Sequence, residues 1–226
     1  MSKLACLVFP VVLGFLSATA QGQTVNASKP VDLKSKSCTE LIQCFSSPDW
    51  CGADSRWDIA DVLGKRENKA FLLSEYRERR DEAQRLGIIY ALYRINDPEV
   101  AAFFKRLVAE RFDDGEELYY PLNYLAKRCD TNALRILSGD GHGGYKGYPG
   151  CMQWGTTVEL FGKCKYRPAI PYVIDSINAA CMNIGIAAVE DLRKMYRGSP
   201  DFKHYSLEGI EQYFRHRAAA EFTEKR

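Results

Sequence analysis

The chain has 226 residues, with 31 lysines and arginines against 29 aspartates and glutamates, a formal net charge of +2. That balance, without any basic block or stripe, argues against a nucleic-acid partner, which selects a clustered positive footprint. The length beyond an N-terminal leader suffices for one domain with a sizeable core.

The first twenty residues read as a targeting segment. Lys3 supplies a positive start, residues 4–16 form an apolar run containing Pro10, and Ala18-Thr19-Ala20 fits a small-x-small cleavage site. The run is shorter than the roughly 20 apolar residues that a membrane helix needs. A cleaved signal peptide over 1–20 is therefore expected. It places the mature chain in the periplasm or outside the cell, with no membrane span after cleavage.

Residues 21–37 are polar and aperiodic, a flexible leader. Residues 38–67 carry Cys38, Cys44 and Cys51 with Pro48 and Gly52, and read as a small cysteine-containing cap with a short helix around Thr39–Phe45. Trp50 and Trp57 are expected to pack this cap against the first helical unit.

From residue 68 to 221 helical signals dominate, and strand content is expected near zero. Asp97-Pro98-Glu99 places an N-cap, a first-turn proline and a favourable acid before the stripe Val100, Phe103, Phe104, Leu107 and Val108. Pro121 predicts a turn over 116–120 and a helix opening at the proline itself. Thr131 is positioned to cap a helix with Leu134, Ile136 and Leu137. Pro168 opens one with Ile170, Val173, Ile174 and Ile177. Ser206 precedes Leu207, Ile210, Tyr213 and Phe214, and residues 222–226 are a tail.

One pattern, apolar-x-x-apolar-x-Lys/Arg, occurs four times. Its copies are Ile89, Leu92 and Arg94; Leu122, Leu125 and Lys127; Val158, Phe161 and Lys163; and Val189, Leu192 and Lys194. Their starts lie 33, 36 and 31 residues apart, and each copy is followed by a break and a new helix start. A unit of this size is one two-helix hairpin, which buries its apolar stripe only by stacking on neighbours.

On these residues the chain resembles the HEAT-repeat family over about 68–202. Pro98, Pro168 and Pro171, the small-residue stretch 186–189, and Asp81 followed by Arg85 fit that family. Later units lack the Asp/Arg pair. The resemblance implies an all-α fold, an α-solenoid of stacked antiparallel helical hairpins, and a binding role. It implies no chemistry.

Seven cysteines remain after cleavage, so an exported chain leaves at least one unpaired within the molecule. Cys129 and Cys164 fall at the C-terminal ends of repeat helices, and Cys151 and Cys181 precede repeat helices. Pairing Cys129 with Cys164 and Cys151 with Cys181 requires adjacent helices, about 10 Å apart, to converge until the Cα atoms lie about 4.4–6.8 Å apart. Buried free thiols are the alternative. No C-x-x-C occurs, and His142, His204 and His216 do not sit at ligand spacing, so neither a metal nor a cofactor is assigned.

Two groups are candidate binding residues. The glycine-rich segment 139–150 carries His142, Tyr145 and Tyr148, and reads either as a recognition loop or as a tolerated insertion. Tyr119, Tyr120 and Tyr124 form an aromatic cluster that serves either as binding anchors or as packing between hairpins. No nucleophile–base–acid set surrounds His142, so no catalytic residue is assigned. The expected function is an exported scaffold for a protein or peptide partner. An enzyme or enzyme-associated domain using the 139–150 loop, and a structural cell-envelope protein, are the alternatives. The oligomeric state is open.

Overall fold

A computed structural model describes residues 32–79, 81–110, 115–139, 150–179 and 181–224. The expected signal peptide and most of the expected leader lie outside the described residues, as do His142, Tyr145 and Tyr148. Eleven α-helices and several 3₁₀ turns, with no strand, make up the described residues. In chain order the helices are α1 Cys38–Cys44, α2 Arg56–Leu63, α3 Lys69–Glu78, α4 Glu82–Arg94, α5 Pro98–Glu110, α6 Glu116–Ala126, α7 Thr131–Leu137, α8 Cys151–Lys163, α9 Ile170–Asp175, α10 Met182–Met195 and α11 Leu207–Glu224.

Local chemistry fixes the helix starts. Ser37 with Glu40 and Ser55 with Asp58 form reciprocal capping boxes on α1 and α2. Asp81 accepts from the Gln84 N–H at 2.8 Å, and Asp97 from the Glu99 N–H at 2.8 Å. Ser206 accepts from the Gly209 N–H at 3.1 Å and opens α11. At α7 the cap is Asp130, accepting from the Ala133 N–H, so Thr131 is the first helical residue instead of the cap. The carboxylate is the stronger acceptor for the unpaired amides of a first turn.

Two further expectations are corrected. Pro121 sits inside α6, which runs unbroken from Glu116. Leu118, Tyr119, Tyr120, Leu122 and Leu125 are all buried on this helix, and that burial outweighs the hydrogen bond that the proline removes. Trp50 is 93 % exposed. It lies on a 3₁₀ turn, Pro48–Cys51, that is tied back by the Cys44–Cys51 disulfide and turned at left-handed Gly52. That short tether leaves the indole on the outside.

The helices pack in a regular succession. α2 lies against α4, α4 against α6, α6 against α8, and α8 against α10. Of the intervening helices, α3 packs on α4, α5 and α7 on α6, and α9 on α10, while α11 covers α9. The Arg85–Glu117 ion pair (3.3 Å) joins the early parts of α4 and α6, and Tyr93 Oη donates to Asn123 Oδ1 (2.7 Å) near their ends. These two helices therefore run the same way. Asp61 and Arg94, 2.7 Å apart, likewise join the ends of α2 and α4. The four copies of the sequence pattern close α4, α6, α8 and α10.

Two disulfides hold the second half of the row. Cys129, just past α6, is bridged to Cys164 at the end of α8, with Cα atoms 5.4 Å apart. Cys151 at the start of α8 is bridged to Cys181 before α10, at 5.9 Å. Cys38 is the free cysteine among the described residues, its thiol 3.5 Å from Asn68 Oδ1.

The two ends of the first bridge are built alike. The Asp130 N–H returns to the Leu125 carbonyl, and the Tyr166 N–H to the Phe161 carbonyl, each a six-residue reach-back. The left-handed residues that permit this are Cys129 (φ 58°) and Lys165 (φ 51°). Cys129 thus matches Lys165 in register, and Cys164 lies one residue earlier.

A continuous core runs through the row. Phe45, Phe104, Phe161 and Phe214 are fully buried, each worth roughly 1.5–3 kcal/mol of transfer free energy. Close backbone approach is enforced at two glycines. A Cβ on Gly87 of α4 would meet Phe45 Cγ at 2.0 Å, and one on Gly162 of α8 would meet Asp191 Cγ of α10 at 2.3 Å.

Candidate functional site: an aromatic and cationic groove

The even-numbered helices carry an aromatic cluster along one face. Trp57 of α2 stacks on Tyr90 of α4, with ring centroids 4.3 Å apart and planes inclined by 11°. Tyr120 of α6 meets Trp57 edge-on at 5.2 Å, Tyr90 at 4.7 Å and Tyr93 at 5.6 Å. Such edge-to-face contacts add about 0.5–1.5 kcal/mol each beyond area burial. The cluster therefore holds three helices in fixed register as well as offering ring surface.

A chain of polar groups crosses the same face. Tyr93 Oη donates to Asn123 Oδ1 at 2.7 Å, Asn123 Nδ2 donates to Tyr119 Oη at 3.3 Å, and Tyr119 Oη donates to the Gln153 carbonyl of α8 at 2.9 Å. Burial pushes the Tyr119 phenol up, so it stays a neutral donor. Each donor is met by an acceptor, which makes the groove floor rigid.

Cations stand on this floor. The Arg94 guanidinium lies 4.8 Å from the Trp57 ring centre, Lys127 Nζ 4.4 Å from that of Tyr93, and the Arg128 guanidinium 3.7 Å from that of Tyr124. Lys127 also donates to Tyr93 Oη, and Arg128 to Asn96 Oδ1 and the Tyr124 carbonyl. Arg94 is exposed and shared with Asp61, while Lys127 and Arg128 are exposed.

These residues enclose two adjoining concavities. One, of about 420 Å³, is lined by Trp57, Tyr93, Tyr120, Asn123, Lys127 and Met152 among others. The second, of about 360 Å³, shares Tyr93, Arg94 and Lys127 and extends over Tyr124 and Arg128. Met152, 74 % exposed, forms the α8 lip.

Tyr119, Tyr120 and Tyr124 are 2 %, 5 % and 3 % exposed. They are thus packing residues first, and they meet a ligand only through the ring edges that line the groove. Tyr124 also locks the α5 start: its hydroxyl donates to the Ile95 carbonyl at 2.8 Å and accepts from the Asp97 N–H at 3.2 Å. Trp57, Tyr93, Arg94, Lys127 and Arg128 were not singled out as binding residues from sequence. The signal was present, because Arg94 and Lys127 are the terminal cations of two copies of the repeat pattern.

Arg85 pairs with Glu117 on α6, and Asp81 caps α4 and accepts from Ser46, just past α1. Those two residues therefore brace neighbouring segments and do not form a ladder with each other. Among the described residues no cluster of three metal-ligating side chains occurs. No described helix is long and apolar enough to cross a membrane. Comparison of the chain with models of known families, with curated proteins and with solved structures gives no match.

Proposed function

We propose that this chain is an extracytoplasmic interaction module of the α-solenoid type, HEAT-like in its hairpins, that binds a protein segment along the groove of α2, α4, α6 and α8. The segment carries acidic and aromatic side chains. Support for the stacked arrangement comes from the succession of even-numbered helices, each resting on the next, with the four sequence copies at their ends. Support for residence outside the cytoplasm comes from three disulfides and from the expected signal peptide.

One observation carries the binding reading: three cations, Arg94, Lys127 and Arg128, stand over an aromatic floor whose own polar groups are already hydrogen-bonded to one another. A floor with its internal demands met needs no filling for stability. Lys127 and Arg128, which have no carboxylate within ion-pairing distance among the described residues, and the ring edges remain available to carboxylates and to partner rings, while Arg94 is already paired with Asp61. Aromatic and arginine side chains in such settings dominate interface energies.

The test is selection from a displayed peptide library on immobilised full chain, followed by direct titration of the selected peptides. Enrichment of acidic, aromatic-containing peptides, with loss of binding in a Lys127→Glu, Arg128→Glu double variant that melts like wild type, is the expected result. Neutral or basic peptides as the selected class, or binding indifferent to that double variant, would refute the reading.

A further inference from the structure

A further concavity, of about 640 Å³, lies away from the groove, where the ends of α8 and α10 meet α11. Five cations line it: Lys165 and Arg167 after α8, Lys194 and Arg197 around the end of α10, and Arg217 of α11. Glu221 is the one carboxylate in the lining. In a chain whose formal net charge is +2, this is a local concentration and not a general excess.

The ion pairs are unevenly distributed. Glu221 is bound to Arg167, and the fully buried Asp191 is paired with Lys194 at 2.8 Å. Lys165, Arg197 and Arg217 have no carboxylate within ion-pairing distance among the described residues. Cations at helix ends do offset the partial negative charge there, but the last carbonyls of α8 are already engaged by the Lys165 and Tyr166 amides.

Tyr196, 5 % exposed, also lines the concavity, its ring approached by two guanidiniums, Arg167 at 5.3 Å and Arg217 at 5.6 Å from the ring centre. Its buried hydroxyl finds no acceptor for its proton among the described residues, since the neighbouring Arg167 can only donate. A buried donor without an acceptor is costly. Two like charges drawn to one ring also repel each other. A single group with several anionic oxygens answers both demands, since each guanidinium presents a planar fork matched to an oxyanion.

We propose that this concavity binds a multivalent oxyanion, a phosphate or sulfate ester group borne by a larger molecule. The volume exceeds that of a bare ion and falls in the range that small-molecule sites occupy. The site is independent of the aromatic groove, whose cations belong to other helices.

Isothermal titration of the full chain with inorganic pyrophosphate and with a sulfated disaccharide tests the assignment and separates the two sources. Saturable binding of either probe, weakened about tenfold or more in an Arg197→Ala, Arg217→Ala double variant, is expected. Both side chains are exposed and lack a carboxylate partner, so this variant should melt no lower than wild type, and Lys127→Glu should bind the probes normally. Absence of binding for both probes overturns the assignment. So does undiminished binding by the double variant, or a double variant whose melting temperature drops while it binds nothing, which would assign the cations to the helix ends alone.

Discussion

Replacing Gly87 with alanine separates two explanations of a buried helical glycine. Alanine is better than glycine in a helix interior by about 1 kcal/mol, so a merely tolerated glycine would give a more stable variant. Here the added Cβ would lie 2.0 Å from Phe45 Cγ and 2.3 Å from both Cδ atoms, where carbon contacts optimise near 3.5–4.0 Å. The ring must retreat by roughly 1.5 Å. Phe45 is fully buried, so it has no open space to enter. Overpacking of this kind costs about 1–3 kcal/mol and can exceed the propensity gain. A net loss of about 1–2 kcal/mol lowers the melting temperature by about 2–8 °C in a chain of this size. Thermal unfolding followed by circular dichroism at neutral pH reads it directly. Combining Gly87→Ala with Phe45→Leu should lose less than the sum of the single changes, since the two sites are in contact. A Gly87→Ala variant that melts above wild type would refute the claim that α1 docks by ring-on-backbone contact.

Tyr124→Phe removes the hydroxyl that serves the Ile95 carbonyl and the Asp97 N–H, and should cost about 1–3 kcal/mol in chemical denaturation with little change in helix content. Replacing Cys129 and Cys164 together by serine opens a link spanning 35 residues and should cost about 2–4 kcal/mol, read as a lower denaturation midpoint. The Asp97 carboxyl is held below the ordinary aspartate value of 3.8 by the Glu99 N–H and by Lys69. Its contribution is therefore complete above that value and lost as pH falls through the depressed native value. Asp97→Asn should flatten the acid limb of the stability curve below about pH 4, and an unchanged limb would contradict the assignment.

Much of the helical framework was legible because its signals are local. Asp97-Pro98, Ser206 and the 3.6-residue stripes depend on neighbours in sequence, and the helices form where those signals stand. Pro121 misled because a proline's local preference was set against burial that only the folded chain supplies. Trp50 misled because hydrophobic character says nothing about a tether. The groove was half legible. The tyrosines drew attention by number, yet they form its floor, and its accessible surface belongs to Lys127, Arg128 and Arg94; the repeat pattern marks Arg94 and Lys127 as recurring positions without showing that they stand over rings. The basic concavity around Tyr196 was not legible, because its cations come from three separated stretches, and of the five only Lys194 belongs to the repeat pattern.

Cys129 precedes, and Cys164 comes after, the segment 140–149. A peptide bond cut anywhere in that stretch leaves two fragments still joined through sulfur, so the nicked product migrates as one species until thiol is added. Covalent continuity of the molecule is thereby carried twice across its glycine-richest stretch, once through the backbone and once through sulfur.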